Sequence, residues 1–189
     1  MNLTGFFLKF VGKDYSPAYK IISLLPGTLV FLVLSPLVIF LLARYLSGFI
    51  PLVWPRFLEL VVMAGALAIA MVLMFWALYE LWFKGEGTPA PITPTRKLVC
   101  TGPYRFCRNP IELGTILYFL ALGIWFDSLT TGIFCLIFGL LLGSGYIVLI
   151  EEHELRSRFG AEYEKYYRET PFMVPGARLK RKEPARQNR

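Results

Sequence analysis

A chain of 189 residues that is 56% hydrophobic, only 17% charged and has a mean hydropathy of +0.54 carries more apolar surface than a soluble core of its size can bury. The surplus calls for lipid as solvent, and the expected organisation is one unit over 1–175 followed by a basic tail at 176–189. The net charge of +7 does not point to nucleic acid as a partner, because the charged residues are shut out of the apolar runs and gather at their ends.

The three cysteines, Cys100, Cys107 and Cys135, have no paired spacing, and a single histidine, His153, completes no metal-ligand set. They read as free thiols in a reducing compartment, and no metal site is expected. Lys9 and Lys13 precede the first long apolar run without a small-residue cleavage site, so a removable signal peptide is not expected.

Four apolar runs follow in chain order. The first, at 21–46, contains Pro26 and Pro36. The second, 57–83, holds an uncharged stretch framed by Glu59 and Glu80. A third, 110–127, has only the uncharged residues Leu113 to Phe126, worth ~21 Å as helix. The fourth, 129–150, is uncharged throughout until Glu151. A helix needs roughly 20 residues to cross ~30 Å of hydrocarbon, so the third reaches full length by starting at Pro110. It pairs with the fourth in a hairpin turning at Asp127 and Ser128. The expected fold is therefore an all-α integral membrane protein with four transmembrane helices, or five if the prolines split the first run.

Lys and Arg set the orientation. The segment from Lys84 to Arg108 carries five of them and the chain from Arg156 onward ten, against two between Arg44 and Arg56 and none at the Asp127 turn. The basic segments, and with them both termini, are expected in the cytosol. The linker from Lys84 to Thr95 is too rich in Gly and Pro for helix. After the fourth run, Leu155, Phe159, Tyr163 and Tyr167 recur every four residues. That stripe predicts an amphipathic helix over 151–168 lying against the membrane.

Two polar blocks flank the hairpin. Asn109 before Pro110, with Glu112 three residues on, has the pattern of a helix N-cap with its reaching Glu. The exposed N–H groups of that helix end equally suit a ligand carboxylate. Glu151 and Glu152 read either as the solvated end of a span or as carboxylates facing a cationic ligand. Gly139, Gly143 and Gly145 read as close helix packing. His153 is read as a solvated helix position.

The order GxGTPxP, LVxxGPYRxxRNP, apolar hairpin, EExxLxxxFGxxYxxY over Gly85 to Pro175 resembles the membrane methyltransferases, the group of isoprenylcysteine carboxyl methyltransferase and the phospholipid N-methyltransferases. The resemblance implies S-adenosyl-L-methionine as cofactor and a lipophilic or lipidated acceptor met at the membrane. It also implies a cofactor site formed by the linker and the C-terminal interfacial helix. Carried across the matching blocks, Arg96, Lys97, Leu98, Val99, Gly102, Tyr104, Asn109, Pro110, Ile111, Glu112, Glu151 and Glu152 would line the cofactor. Arg105 and Arg108 read either as a clamp for a phosphate or carboxylate head group of the acceptor or as ordinary arginines at a cytosolic interface. Many relatives have His-Pro in place of Asn109-Pro110 and an aromatic residue in place of Glu112, so no residue is assigned a proton-transfer role. A nicotinamide-dependent membrane reductase and a non-catalytic membrane scaffold are the alternatives. Against the scaffold stands the gathering of specific polar blocks on one side of the membrane, with no charge inside a span to mark an ion path.

Overall fold

The computed structural model describes residues 13, 15–50, 52–90 and 92–173. The expected basic tail, 176–189, and Lys9 lie outside the described residues. Among the described residues all regular structure is helical, in four long helices: α1 (Pro17–Ser47), α2 (Arg56–Phe83), α3 (Pro110–Phe126) and α4 (Leu129–Glu169). By length and composition α1, α2 and α4 can each cross a membrane. At 17 residues, α3 spans about 26 Å, a little less than the hydrocarbon core.

The first run forms one helix of 31 residues rather than two elements. Ser16 caps it by accepting from the Tyr19 amide at 3.3 Å. Proline lacks an N–H, so Pro36 leaves the Leu32 carbonyl without its usual helical donor. The chain answers with a π-helical segment, Val30–Leu34, and with the Tyr118 hydroxyl of α3, which donates to Leu32 O at 3.2 Å. A proline in one helix is thereby turned into a tie to another.

α3 is the shortest of the four and lies at the centre. Gly114, Thr115, Ile116, Phe119, Leu120, Ala121, Gly123 and Ile124 are all buried in it. The α3–α4 hairpin closes on two glycines that lie between the expected small residues and the turn. A Cβ on Gly123 would stand 2.6 Å from Gly132 Cα, so neither position tolerates a side chain. Of the three glycines expected to pack, Gly139 does so against Phe119, Gly143 meets Glu112 instead of an apolar helix face, and Gly145 has nothing near it. The outer faces of α1, α2 and α4 expose Leu25, Val38, Leu41, Val72, Phe75, Leu141 and Leu149, and such a surface is stable in hydrocarbon, not water.

Each end of the bundle is tied by polar groups. At the turn end, the buried Glu59 of α2 accepts the Leu129 amide at 2.9 Å, capping α4 from outside, and pairs with Arg56 at 3.0 Å. Ser47 and Thr131 hydroxyls meet at 2.8 Å, and Trp54 Nε1 donates to Thr130 Oγ1 at 3.0 Å. At the linker end, the buried Glu80 of α2 takes the Thr101 hydroxyl at 2.5 Å and the Lys84 ammonium at 2.8 Å. The linker is also tied to α1, by Ser23 to Thr93 at 2.7 Å and by Lys20 Nζ to Glu86 O at 2.8 Å.

Beyond Ile150, α4 does not stop. It passes through a second π-helical segment, Ile147–Glu151, and runs on to Glu169 with a break at Gly160, where φ is 51°. The stripe of Leu155, Phe159, Tyr163 and Tyr167 is present, but it packs on Ala77, Val99 and Tyr104 of this chain. An apolar face needs a cover and does not specify which; here α2, the linker and the start of α3 supply much of it.

Replacing Glu59 with Ala should leave the buried Leu129 amide without an acceptor and destabilise the protein by ~1–3 kcal/mol. Glu59→Gln, which keeps an acceptor, should lose less than half of that. Unfolding in detergent micelles, with the midpoint of each variant compared to the parent, measures both. Equal losses would mean that the carboxylate acts through its charge rather than as a cap.

Candidate functional site

The linker reaches α3 through a short 3₁₀ turn, Gly102–Arg105, and this turn sets the geometry. Gly102 takes φ 60°, a conformation glycine adopts without penalty, and a Cβ there would stand 2.6 Å from the Glu80 side chain. That close approach places Tyr104 inward. It is buried beside Val99, Tyr163 and Tyr166, and the Tyr166 hydroxyl donates to its carbonyl at 2.7 Å. Burial, and then the negative charge of Glu151, push the Tyr104 phenol well above its ordinary range. It therefore keeps its proton and remains a hydrogen-bond donor.

Arg108 follows. Its backbone N–H donates to Pro171 O at 2.9 Å, and its guanidinium donates to Tyr167 O at 2.7 Å, Thr170 O at 3.0 Å and Glu152 Oε1 at 3.0 Å. The guanidinium also lies 3.9 Å from the Tyr167 ring centroid. Glu152 is buried and receives Arg156 at 3.5 Å as well. The pair expected to touch acceptor and cofactor is thus occupied within the fold, where it holds the end of α4 and the strap 170–173 against the start of α3.

Asn109 precedes α3 but does not cap it. With ψ 59° its side chain turns away from the helix, and its amide donates to Phe172 O at 3.0 Å. Glu112 does not reach back either. Its carboxylate lies in the notch left by Gly143 of α4, where a Cβ would come within 1.6 Å of Oε1. The capping pattern is present in sequence, yet the strap offers Asn109 a carbonyl and Gly143 offers Glu112 a recess. Both side chains serve tertiary contacts instead.

Glu151 sits in the π-helical segment of α4, close enough to Glu112, Glu152 and Glu154 for their charges to repel. Tyr146 feels Glu112, Glu151 and Glu154. Among the described residues none donates a hydrogen bond to, or forms an ion pair with, Glu112 or Glu151. Arg158 lies in the field of Glu151, but its guanidinium pairs with Glu154 at 3.0 Å and donates to the Thr95 carbonyl.

Glu151 thus stands within electrostatic reach of both Tyr104 and Glu112, where linker, α3 and α4 meet. Leu98, Val99, Pro110 and Ile111 form the packing behind them, with Leu98, Val99 and Ile111 in the cluster around Tyr104. Arg96 and Lys97 stand apart on the exposed linker, gathered on Glu86. The Lys97 hydrogen bond holds the Glu86 carboxyl below the usual range. Arg105 is exposed. Sequence reasoning missed Arg158 and Glu154, whose i, i+4 spacing was a usable signal. It also missed the strap, for which no local pattern exists.

Glu152→Ala should strand Arg108 as an unpaired buried charge and cost ~3–5 kcal/mol in detergent unfolding. The double change Arg108→Met, Glu152→Leu should restore much of that loss. A Glu152→Ala variant as stable as the parent would remove the pair from its structural role.

A family model described as phospholipid methyltransferase matches residues 58–162. The chain is also 35% identical over 88 residues to the nickel-cobalt-cadmium resistance protein NccN of Alcaligenes xylosoxydans xylosoxydans, covering 46% of this chain and 40% of that protein. It is 36% identical over 87 residues to the cobalt-zinc-cadmium resistance protein CzcN of Cupriavidus metallidurans, covering 46% and 39%. The aligned stretch is thus less than half the length of these relatives. No solved structure matches the chain. The family match runs from the first turn of α2 to the extension of α4 and takes in Tyr104, Glu112 and Glu151. The chain is an integral membrane protein and belongs to the phospholipid methyltransferase family.

Proposed function

We propose that the protein is a methyltransferase that uses S-adenosylmethionine, bound at the linker end, to methylate a lipophilic acceptor arriving through the bilayer. The observation that carries this reading is the pair of carboxylates, Glu112 and Glu151, which accept no hydrogen bond and form no ion pair among the described residues, beside a phenol that stays protonated. Two such carboxylates are costly at a membrane edge unless a positively charged ligand meets them. The cofactor brings that charge, as a sulfonium and an ammonium, and supplies a methyl group activated for transfer to a nucleophile. Glu151 accepts from the ligand's donors, and Tyr104 donates to its oxygens. The tyrosine cluster of α4 and the strap shut water out on the linker side, and positioning of the two reactants supplies much of the rate.

In this reading the linker end faces the cytosol, in line with its excess of Lys and Arg, and both termini share that side. The metal-resistance names of the two relatives belong to those proteins, and nothing in the Tyr104 site carries them across.

Titration calorimetry with S-adenosylhomocysteine in detergent tests the site. Glu151→Gln and Tyr104→Phe should each weaken binding by ~1.5–3 kcal/mol, the usual worth of a hydrogen bond to a charged group, while unfolding midpoints hold. Unchanged affinity in both variants would overturn the placement. Stabilisation by NADPH, with none by S-adenosylhomocysteine, would favour a reductase. For orientation, an impermeant maleimide added to intact cells should label a cysteine placed at Ser128 and spare Cys100, and labelling of Cys100 would reverse the topology.

A further inference from the structure

The turn end holds a polar site that the Tyr104 junction does not use. Where the last turn of α1 meets the α3–α4 turn, a cavity of about 310 Å³ is lined by Arg44, Ser47, Ile50, Leu52, Asp127 and Thr130, among others. Arg44 Nε and Asp127 Oδ1 stand 4.0 Å apart there, beyond hydrogen-bonding distance. Among the described residues that guanidinium donates no hydrogen bond, and its side chain is 62% exposed. Asp127 Oδ2 accepts from the Ser128 hydroxyl at 3.2 Å and from Thr131, while Oδ1 meets only the distant guanidinium. Thr130 Oγ1 accepts from Trp54, which leaves its own O–H to donate. A cation with open donors, a carboxylate oxygen and a hydroxyl thus border one recess. Beside it the surface is apolar. One turn of α1 toward the membrane centre, Phe40 meets Phe126 with ring centroids 5.8 Å apart, and Leu41 and Phe126 are exposed. Tyr45, Phe49 and Trp125 are exposed at the same end of the bundle, as aromatic residues are where headgroups meet hydrocarbon.

We propose that this recess binds the zwitterionic headgroup of a phospholipid from the leaflet at the turn end, its phosphate on Arg44 and Thr130 and its ammonium on Asp127 Oδ1. The proposal goes beyond the methyltransferase reading and does not depend on it. A simple anion would meet Asp127 with like charge, and a simple cation would meet Arg44. A headgroup that carries both charges, joined by a two-carbon link, answers both. Guanidinium suits the phosphate because its fork presents two parallel donors. The apolar rim separates a lipid from a water-borne zwitterion, since Leu41 and Phe126 offer acyl chains a surface that a free headgroup cannot use. The 17 residues of α3 put about 26 Å between this recess and the linker end, so the bound headgroup takes no part in chemistry there. Its effect is on assembly. The family match begins at residue 58, which leaves α1 outside it. A phosphate shared by Arg44 of α1 and Thr130 of α4 fastens that helix to the matched core.

The test is thermal unfolding in dodecyl maltoside with dioleoyl phosphatidylcholine, the phosphatidylglycerol of the same chains, or glycerophosphocholine as probe. Phosphatidylcholine has no amine proton left to exchange for a methyl group, so its effect is separate from turnover. At ten times its half-saturating concentration it should raise the parent's midpoint by about 3–6 °C, with a smaller shift from phosphatidylglycerol and none from glycerophosphocholine. Arg44→Gln should unfold as the parent does without lipid, because an exposed ion pair adds little, and should need about tenfold more phosphatidylcholine for the same shift. Asp127→Asn should abolish the preference for phosphatidylcholine over phosphatidylglycerol. No shift in the parent, equal shifts from the two lipids, or an Arg44→Gln response equal to the parent's would overturn the site. A full shift from glycerophosphocholine would overturn its assignment to a lipid.

Discussion

The arrangement at the linker end depends on one guanidinium. Arg108 lies between the 3₁₀ turn and α3, and from there it reaches the last turn of α4, the strap at 170 and the carboxylate of Glu152, with its plane over the Tyr167 ring. Only arginine has a rigid fork of donors able to serve two carbonyls and a carboxylate at once while stacking on an aromatic face. A buried ion pair of this kind is weak evidence for stability in itself, since desolvating both charges offsets their attraction. Its consequence is registry. With Arg108 bound to the Tyr167 and Thr170 carbonyls and to Glu152, the extension of α4 folds back across the linker, which puts Glu151 near Glu112 and Tyr104.

That registry works because the transmembrane part supplies a rigid base. Packing among helices in lipid gains little from the hydrophobic effect and depends on close approach and internal hydrogen bonds. The Gly123–Gly132 crossing, the Tyr118–Leu32 bond and the Ser47–Thr131 and Glu59–Leu129 contacts meet that need. They leave the outer faces of α1, α2 and α4 to the lipid. In the function proposed above, a lipophilic acceptor stays in hydrocarbon while its reactive end meets the polar junction of α3 with the linker.

Much of this architecture was legible from hydrophobic runs alone. The expected spans at 57–83 and 110–127 coincide with α2 and α3 to within a residue, because an uncharged run bounded by charges or by Asn-Pro leaves a membrane helix little choice of ends. The first span began four residues earlier than expected, where Ser16 caps it. What the sequence could not disclose were contacts between residues 44 to 63 apart, as between Arg108 and Glu152 or Asn109 and Phe172. Asn109 and Glu112 match a local capping pattern well, but local pattern yields when a distant carbonyl or a glycine notch offers more. The α4 stripe was read correctly as apolar, but its packing on Ala77, Val99 and Tyr104 was not foreseen, since periodicity fixes a face and not what covers it. The family blocks named Tyr104, Glu112 and Glu151 together with Glu152, Arg96 and Lys97. The fold separates these into a converging set, a buried structural acid and an exposed linker pair.

The central claim is that the junction of the linker, the start of α3 and the π-helical segment of α4 binds S-adenosylmethionine. Hydrogen exchange read by mass spectrometry in nanodiscs, with and without saturating S-adenosylhomocysteine, addresses it without reference to turnover. The account predicts slowed exchange in peptides covering 95–112 and 143–158, and no change in those covering 44–50 and 127–131 at the opposite end. Protection confined to the turn end, or no protection at 95–112 and 143–158 at a ligand concentration that saturates binding, would contradict it.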